Sequence, residues 1–217
     1  MAVKKPNMPR WTVPKLWPDG TCFILGGGPS LKNFDIERLR GQRVIAVNCA
    51  FRLAPWIDVM YYGDCTWPKK YGCDDFSDFR GIKITTCPQH VNRQDVKVVT
   101  KKNSPYGIIT DPQFVSWNLS SGACAINLAF HFGVKRIVLL GYDMHRINGE
   151  KNWHNFYKDQ QKKHEPYARF MMPFPHIEKA LKKHGVECLN ATPGSDLTVF
   201  PIVELDEVLN DKLRVCA

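Results

Sequence analysis

The stretch Cys22-Phe23-Ile24-Leu25-Gly26-Gly27-Gly28-Pro29-Ser30 decides the fold. Four apolar residues in a row, with no polar alternation, describe a strand covered on both faces, which is the condition of a strand in a parallel sheet. The run stops abruptly at glycine, and Pro-Ser then opens a helix-like segment. The same plan recurs along the chain. Val44-Ile45-Ala46-Val47 stops at Asn48, Val59-Met60-Tyr61-Tyr62 at Gly63-Asp64, and Ile137-Val138-Leu139-Leu140 at Gly141-Tyr142-Asp143. Val186-Glu187-Cys188-Leu189 stops at Asn190-Ala191-Thr192. Helical patterns fill the gaps over Ser30 to Arg40, Ser120 to Gly133 and Pro175 to Gly185. Alternation of this kind predicts an α/β domain with a mostly parallel sheet and helices on both faces.

Two stretches break the pattern. Residues 65–118 hold weaker β-like runs, Ile82 to Thr86 and Val96 to Thr100, among turns. Residues 144–174 are polar and aromatic with poor periodicity, and segments of that length inside a compact domain act as lids or binding loops. The proline-rich residues 1–20 read as a surface arm, and 21–217 as a single domain with its lid at about 144–174.

Composition narrows the class. Of the 217 residues, 44% are hydrophobic and 24% charged, which excludes a disordered or collagen-like chain. No apolar run reaches the roughly 20 residues of a membrane span. Met1-Ala2-Val3-Lys4-Lys5-Pro6 lacks the apolar region of a secretory signal, so the expected location is cytoplasmic. A net charge of +9 favours anionic partners: nucleotide, phosphorylated metabolite or nucleic acid. Among the eight cysteines there is no C-x-x-C pair, so a zinc ribbon is not expected. Cys22, Cys49, Cys124 and Cys188 fall in or beside apolar runs as small buried hydrophobes. Reduced thiols are the expectation throughout.

In an open parallel sheet ligands bind outside the carboxyl ends of the strands. That edge would carry Gly26, Gly27, Gly28, Asn48, Asp64, Gly141, Tyr142 and Asp143. The glycine turn, with Ser30 behind it, reads either as a phosphate or ribose contact or as a tight strand–helix turn. It is not a Walker A loop, because no Gly-Lys-Ser/Thr follows. Ser120-Ser121-Gly122 opens the clearest helix, either as a second anion-binding corner or as a plain N-cap. Asp143 is a candidate catalytic carboxylate at the mouth of the crevice. With Asp64 it could also hold a divalent ion shared with a substrate phosphate, which makes Mg²⁺ a candidate partner. In the lid, His154 and His164 are candidate general bases. Tyr157, Tyr167, Lys162, Lys163 and Arg169 could donate to a leaving phosphate.

Taken in order, Ile24-Leu25-Gly26-Gly27-Gly28-Pro29-Ser30-Leu31, Asn48, Ser121-Gly122, Leu140-Gly141-Tyr142-Asp143, Trp153-His154 and Ala191-Thr192-Pro193-Gly194-Ser195 form a series. It resembles that of a Rossmann-like group comprising the bacterial sialyltransferases of glycosyltransferase family 42, the MptE-like 6-hydroxymethylpterin diphosphokinases and the flagellin-modifying motility accessory factors. Small phage-encoded members carry much the same series. The resemblance covers about residues 22–205. It implies a Rossmann-like fold and a transferase that draws on a nucleotide-activated donor, a CMP-sugar or related nucleotide sugar. Gly28, Ser30, Asn48, Ser121 and Gly122 would surround the nucleotide, with His154 or His164 as base and lid tyrosines on the phosphate. The diphosphokinase alternative implies ATP and Mg²⁺, with Asp64 and Asp143 on the metal. A third reading is a phage protein that binds nucleotide or nucleic acid without catalysis, and nucleic acid is also a candidate acceptor.

Overall fold

The structure, a computed structural model, describes residues 10–70, 76, 78–157 and 165–215. Seven strands form one sheet, β1 (Thr21–Leu25), β2 (Arg43–Val47), β3 (Val59–Tyr62), β4 (Ile82–Thr85), β5 (Lys97–Val98), β8 (Arg136–Leu140) and β9 (Glu187–Asn190). Their order is β5-β4-β3-β2-β1-β8-β9, and every pairing is parallel. A separate two-stranded parallel ribbon joins β6 (Thr100–Lys102) to β7 (Phe114–Ser116). Succession runs outward from β1 to β5, then returns across β1 to β8. The strand order therefore reverses between β1 and β8, and a crevice opens there at the carboxyl edge.

The unbroken apolar runs have the consequence expected of them. In β1, Cys22 and Ile24 face one core while Phe23 and Leu25 face the other. β8 divides the same way, with Ile137 and Leu139 against Val138 and Leu140. On the first face pack helices α2 (Ser121–His131) and α4 (Phe174–Lys183), through residues such as Ile126, Phe174, Ile177 and Leu181. The second face is covered by α1 (Trp67–Lys70), α5 (Leu205–Val215) and short 3₁₀ turns, through Leu31, Leu39, Trp67, Leu205 and Val208.

Three local expectations are corrected. Ser30 to Arg40 is not one helix but two 3₁₀ turns, Pro29–Asn33 and Ile36–Leu39, with Asp35 accepting from the Glu37 N–H as the second N-cap. A cap residue in the middle of the apolar pattern competes with the helix backbone and divides it. The described part of the arm does more than lie on the surface: Trp11 N–H donates to Val98 O, Val13 is buried, and the Trp17 ring meets Phe132 edge-on at 4.7 Å. Cys65 and Cys87 are disulfide-bonded, against the expectation of reduced thiols throughout, whereas Cys22, Cys49, Cys124 and Cys188 are buried outside any disulfide, as expected. No helix among the described residues is long and apolar enough to cross a membrane.

Candidate functional site

A cavity of about 730 Å³ opens at the carboxyl edge over the β1/β8 reversal. That volume suits a nucleotide-sized ligand. Gly26, Gly27, Gly28, Asn48, Asp64, Ser120, Ser121, Gly122, Gly141, Tyr142 and Asp143 all line it. Strand ends far apart in sequence thus converge because the parallel strands share one direction and end in near register.

The glycine turn has a different role from a phosphate cradle. Gly26 N–H donates to Leu140 O at 2.7 Å, Gly28 N–H to Gly141 O at 2.9 Å, and Ser30 N–H to Asp143 Oδ1 at 3.0 Å. These amides are already committed within the protein. A Cβ on Gly26 would stand 2.5 Å from Gly141 O, and one on Gly28 only 1.7 Å from Asp143 Oδ2. Both glycines are needed for the close approach of the turns after β1 and β8. Gly27 alone has room on its cavity side, where the nearest atom to a Cβ is Asn152 Oδ1 at 3.4 Å. The tight-turn reading holds for Gly26 and Gly28, and the 3₁₀ turn behind them offers no long helix terminus.

Asp143 is correspondingly a clamp. Its oxygens accept from Ser30 N–H and Ser30 Oγ, both at 3.0 Å, and it is almost fully buried. Burial raises its pKa above the ordinary carboxylate value, and the Ser30 hydrogen bonds oppose that rise only in part. Asp64 is exposed, with Oδ1 accepting from Thr66 N–H at 2.9 Å and Thr66 Oγ1 at 3.0 Å. The metal role expected of the two carboxylates is therefore poorly served. One is consumed by Ser30, the other by its own turn, and no three metal-ligating side chains converge among the described residues.

The α2 terminus faces the cavity with Ser120, Ser121 and Gly122 on its wall. Ser120 caps it, its side chain accepting from Ala123 N–H at 3.1 Å, and Ser121 Oγ accepts from Gly63 N–H at 3.3 Å. The amides of Ser121 and Gly122 precede the first intrahelical bond, Cys124 N–H to Ser120 O, and so remain available at the positive end of an 11-residue helix. Beside them lies Lys101, from β6. Its ammonium donates to Gly63 O at 3.4 Å and sits 4.2 Å from the Trp117 ring centre. None of the ion pairs among the described residues gives it a carboxylate. A half-buried cation held, among the described residues, by a carbonyl and a ring face alone is short of an anion. Sequence reasoning missed Lys101 and Trp117 because they lie in the irregular 65–118 stretch, where only the Lys-Lys pair after a weak β run gave a signal.

Backbone strain gathers at the same place. Asn48, Leu119 and Met144 line the cavity with φ of +53°, +61° and +60°, and Asn118 precedes Leu119 at +48°. Leu and Met gain nothing locally from the left-handed region, so each costs about 1 kcal/mol or more that the surrounding fold must offset. Asn118 is held there by a reciprocal pair of 2.9 Å bonds with the Gly107 backbone. Asn48 Oδ1 and Tyr167 Oη are buried at the cavity without a hydrogen-bond partner among the described residues.

The lid histidines fare differently. His154 does not line the cavity but packs behind Tyr157, ring centres 4.5 Å apart, and against Trp153 and Phe156. Its Nδ1 accepts from Phe156 N–H at 3.2 Å, which places the ring proton on Nε2 and leaves a donor rather than a base. Burial, with Arg52 nearby, lowers its pKa to about 4. The expectation of His154 as the general base is corrected accordingly. His164, Lys162 and Lys163 lie outside the described residues. Tyr157 lines the cavity with its hydroxyl accepting from Trp67 Nε1 and Cys49 Sγ. Tyr167 and Arg169 come from α3 (Tyr167–Met171), and burial pushes the Tyr167 phenol up to about 12. The histidine that the lid does bring to the cavity is His145, unnoticed because it lies two residues past the Gly141-Tyr142-Asp143 strand end. No family model, curated protein or solved structure matches this chain, so the meaning of the site rests on its geometry.

Proposed function

We propose that the sheet is a Rossmann-like nucleotide-binding domain and that the chain is a transferase using a nucleotide-activated donor, most simply a glycosyltransferase. The observation that carries this reading is the Lys101 ammonium, without a carboxylate partner among the described residues, beside the amides of α2 on the wall of a nucleotide-sized cavity at the strand-order reversal. A donor phosphate would sit there, where the helix terminus and the cation stabilise negative charge as it grows on the leaving group. The Trp117, Trp67 and Tyr142 walls supply apolar surface for a base and pentose, and Asn48 Oδ1 supplies an unspent acceptor. Water is kept from the reacting bond by the 144–157 segment, whose Trp153 N–H is tied to Gly27 O at 3.2 Å.

The diphosphokinase alternative draws less support, since it needs Asp64 and Asp143 on a metal and both are engaged elsewhere. Calorimetry with CMP, UDP, GDP and ATP, each with and without Mg²⁺, tests the reading. Saturable binding of a nucleotide without a strict metal requirement supports it. Failure of all four to bind sinks it, and binding only with Mg²⁺ favours the diphosphokinase.

A further inference from the structure

The turn after β9 has no part in holding a nucleotide, yet it is built with unusual polar density. Asn190 Nδ2 donates to Ser195 Oγ at 3.0 Å and to Leu197 O at 3.1 Å. Ser195 Oγ donates to Tyr142 O at 2.6 Å, Thr192 Oγ1 accepts from Tyr142 N–H at 3.1 Å, and Asp196 N–H donates to Asp143 O at 2.9 Å. Asn190, Thr192 and Ser195 are all buried, so these bonds are shielded from water and fix the two turns as one rigid piece. What the piece holds in common is a pair of side chains. From the β8 side comes His145, delivered to the cavity by the left-handed Met144, and from the β9 side comes Asp196. His145 Nδ1 lies 3.5 Å from Asp196 Oδ2, buried and in no aligned hydrogen bond, while Nε2 is not sealed off in the same way. Catalytic pairs in unliganded proteins are commonly long and tighten when substrate binds.

We propose that His145 is the general base of this cavity and that Asp196 is its positioning residue. The carboxylate keeps the ring proton on Nδ1 and so presents Nε2 as an acceptor. This rests on the transferase reading. An acceptor hydroxyl gives its proton to His145 Nε2 as its oxygen bonds to the donor carbon. The bond from that carbon to the phosphate oxygen breaks, its electron pair leaves with the nucleotide, and the imidazolium returns the proton to water. The other described candidates are occupied: Ser30 binds the oxygens of Asp143, and Phe156 N–H binds Nδ1 of His154.

The test combines nucleotide release with a readout independent of turnover. CMP-, UDP- and GDP-sugars are supplied with water or a simple glycoside as acceptor, and nucleotide binding is measured in parallel. His145→Asn is expected to bind nucleotide as the wild type does and to release it roughly 10²–10⁴-fold more slowly. His145→Gln serves if the Asn variant melts early. Asp196→Asn is expected to slow release by a smaller factor, and ¹⁵N spectra of neutral His145 should show the proton on Nδ1 in the wild type and a mixture of tautomers in that variant. Release that survives both His145 substitutions, or is lost only with His164→Asn, overturns the assignment and leaves the transferase reading intact. A wild-type Nδ1 without its proton overturns it as well. No release from any donor overturns the transferase reading, and the assignment with it.

Discussion

Replacing Asp143 separates a clamp from a ligand contact. In Asp143→Ala the Ser30 N–H and hydroxyl lose acceptors 3.0 Å away. Hydrogen bonds to a charged group contribute about 1.5–3 kcal/mol each, and relief of a buried carboxylate returns part of that, so the net loss should be about 2–3 kcal/mol. Asp143→Asn keeps one oxygen for the Ser30 N–H and turns an amide N–H toward Ser30 Oγ, so its loss should be about 1 kcal/mol or less. The pH dependence has a definite sign. The folded pKa of Asp143 is raised above 3.8 by burial, so in the window starting there the native state holds a proton that the unfolded state has lost. Wild-type stability relative to Asp143→Asn therefore falls as pH rises through that window, and the deficit of the Asn variant is largest at the acid end. Urea unfolding of the three proteins at several pH values measures both effects. An Ala variant within 0.5 kcal/mol of wild type (about the noise expected of a neutral surface change), or an Asn deficit that grows with pH, would refute the clamp.

Lys101→Met should weaken nucleotide binding roughly 10–100-fold, the worth of one charge-assisted contact, while leaving the melting temperature unchanged or higher; calorimetry and thermal melting check the pair. Cys65→Ser should cost about 3 kcal/mol by the loop-closure estimate for a separation of 22 residues, and differential alkylation with mass spectrometry should find Cys65 and Cys87 protected. His154 has a folded pKa of about 4 against 6.5, so the unfolded chain binds the extra proton between them and stability is lost as pH falls through that interval. His154→Asn should flatten this acid loss, as read by denaturation at pH 7.5 and pH 5, and should leave nucleotide release close to wild type.

The sheet was legible from its residues because double burial leaves a direct trace: unbroken apolar runs such as Phe23-Ile24-Leu25 need a core on each face, and the strand ends named the cavity edge. Functional detail was less legible where one residue type serves two purposes. A Gly-Gly-Gly turn looks the same whether it admits a phosphate or, as for Gly28 and Asp143, another side chain of the same protein. Lys101 has no local pattern to betray it, since its importance arises from the lack of a carboxylate neighbour among the described residues, which only the tertiary fold determines. His145 and Asp196 stand 51 positions apart in sequence (from 145 to 196) and are joined by hydrogen bonds between two turns. Cys65 and Cys87 likewise meet because β3 and β4 are neighbours in register.

The most direct measurement is a crystal structure of the chain soaked with the nucleotide that binds best. The phosphate is expected within hydrogen-bond reach of the Ser121 and Gly122 amides and Lys101 Nζ, with the base against the aromatic walls. A phosphate seated on the Gly26–Gly28 turn with the α2 terminus empty, or a nucleotide bound outside the cavity, would contradict it.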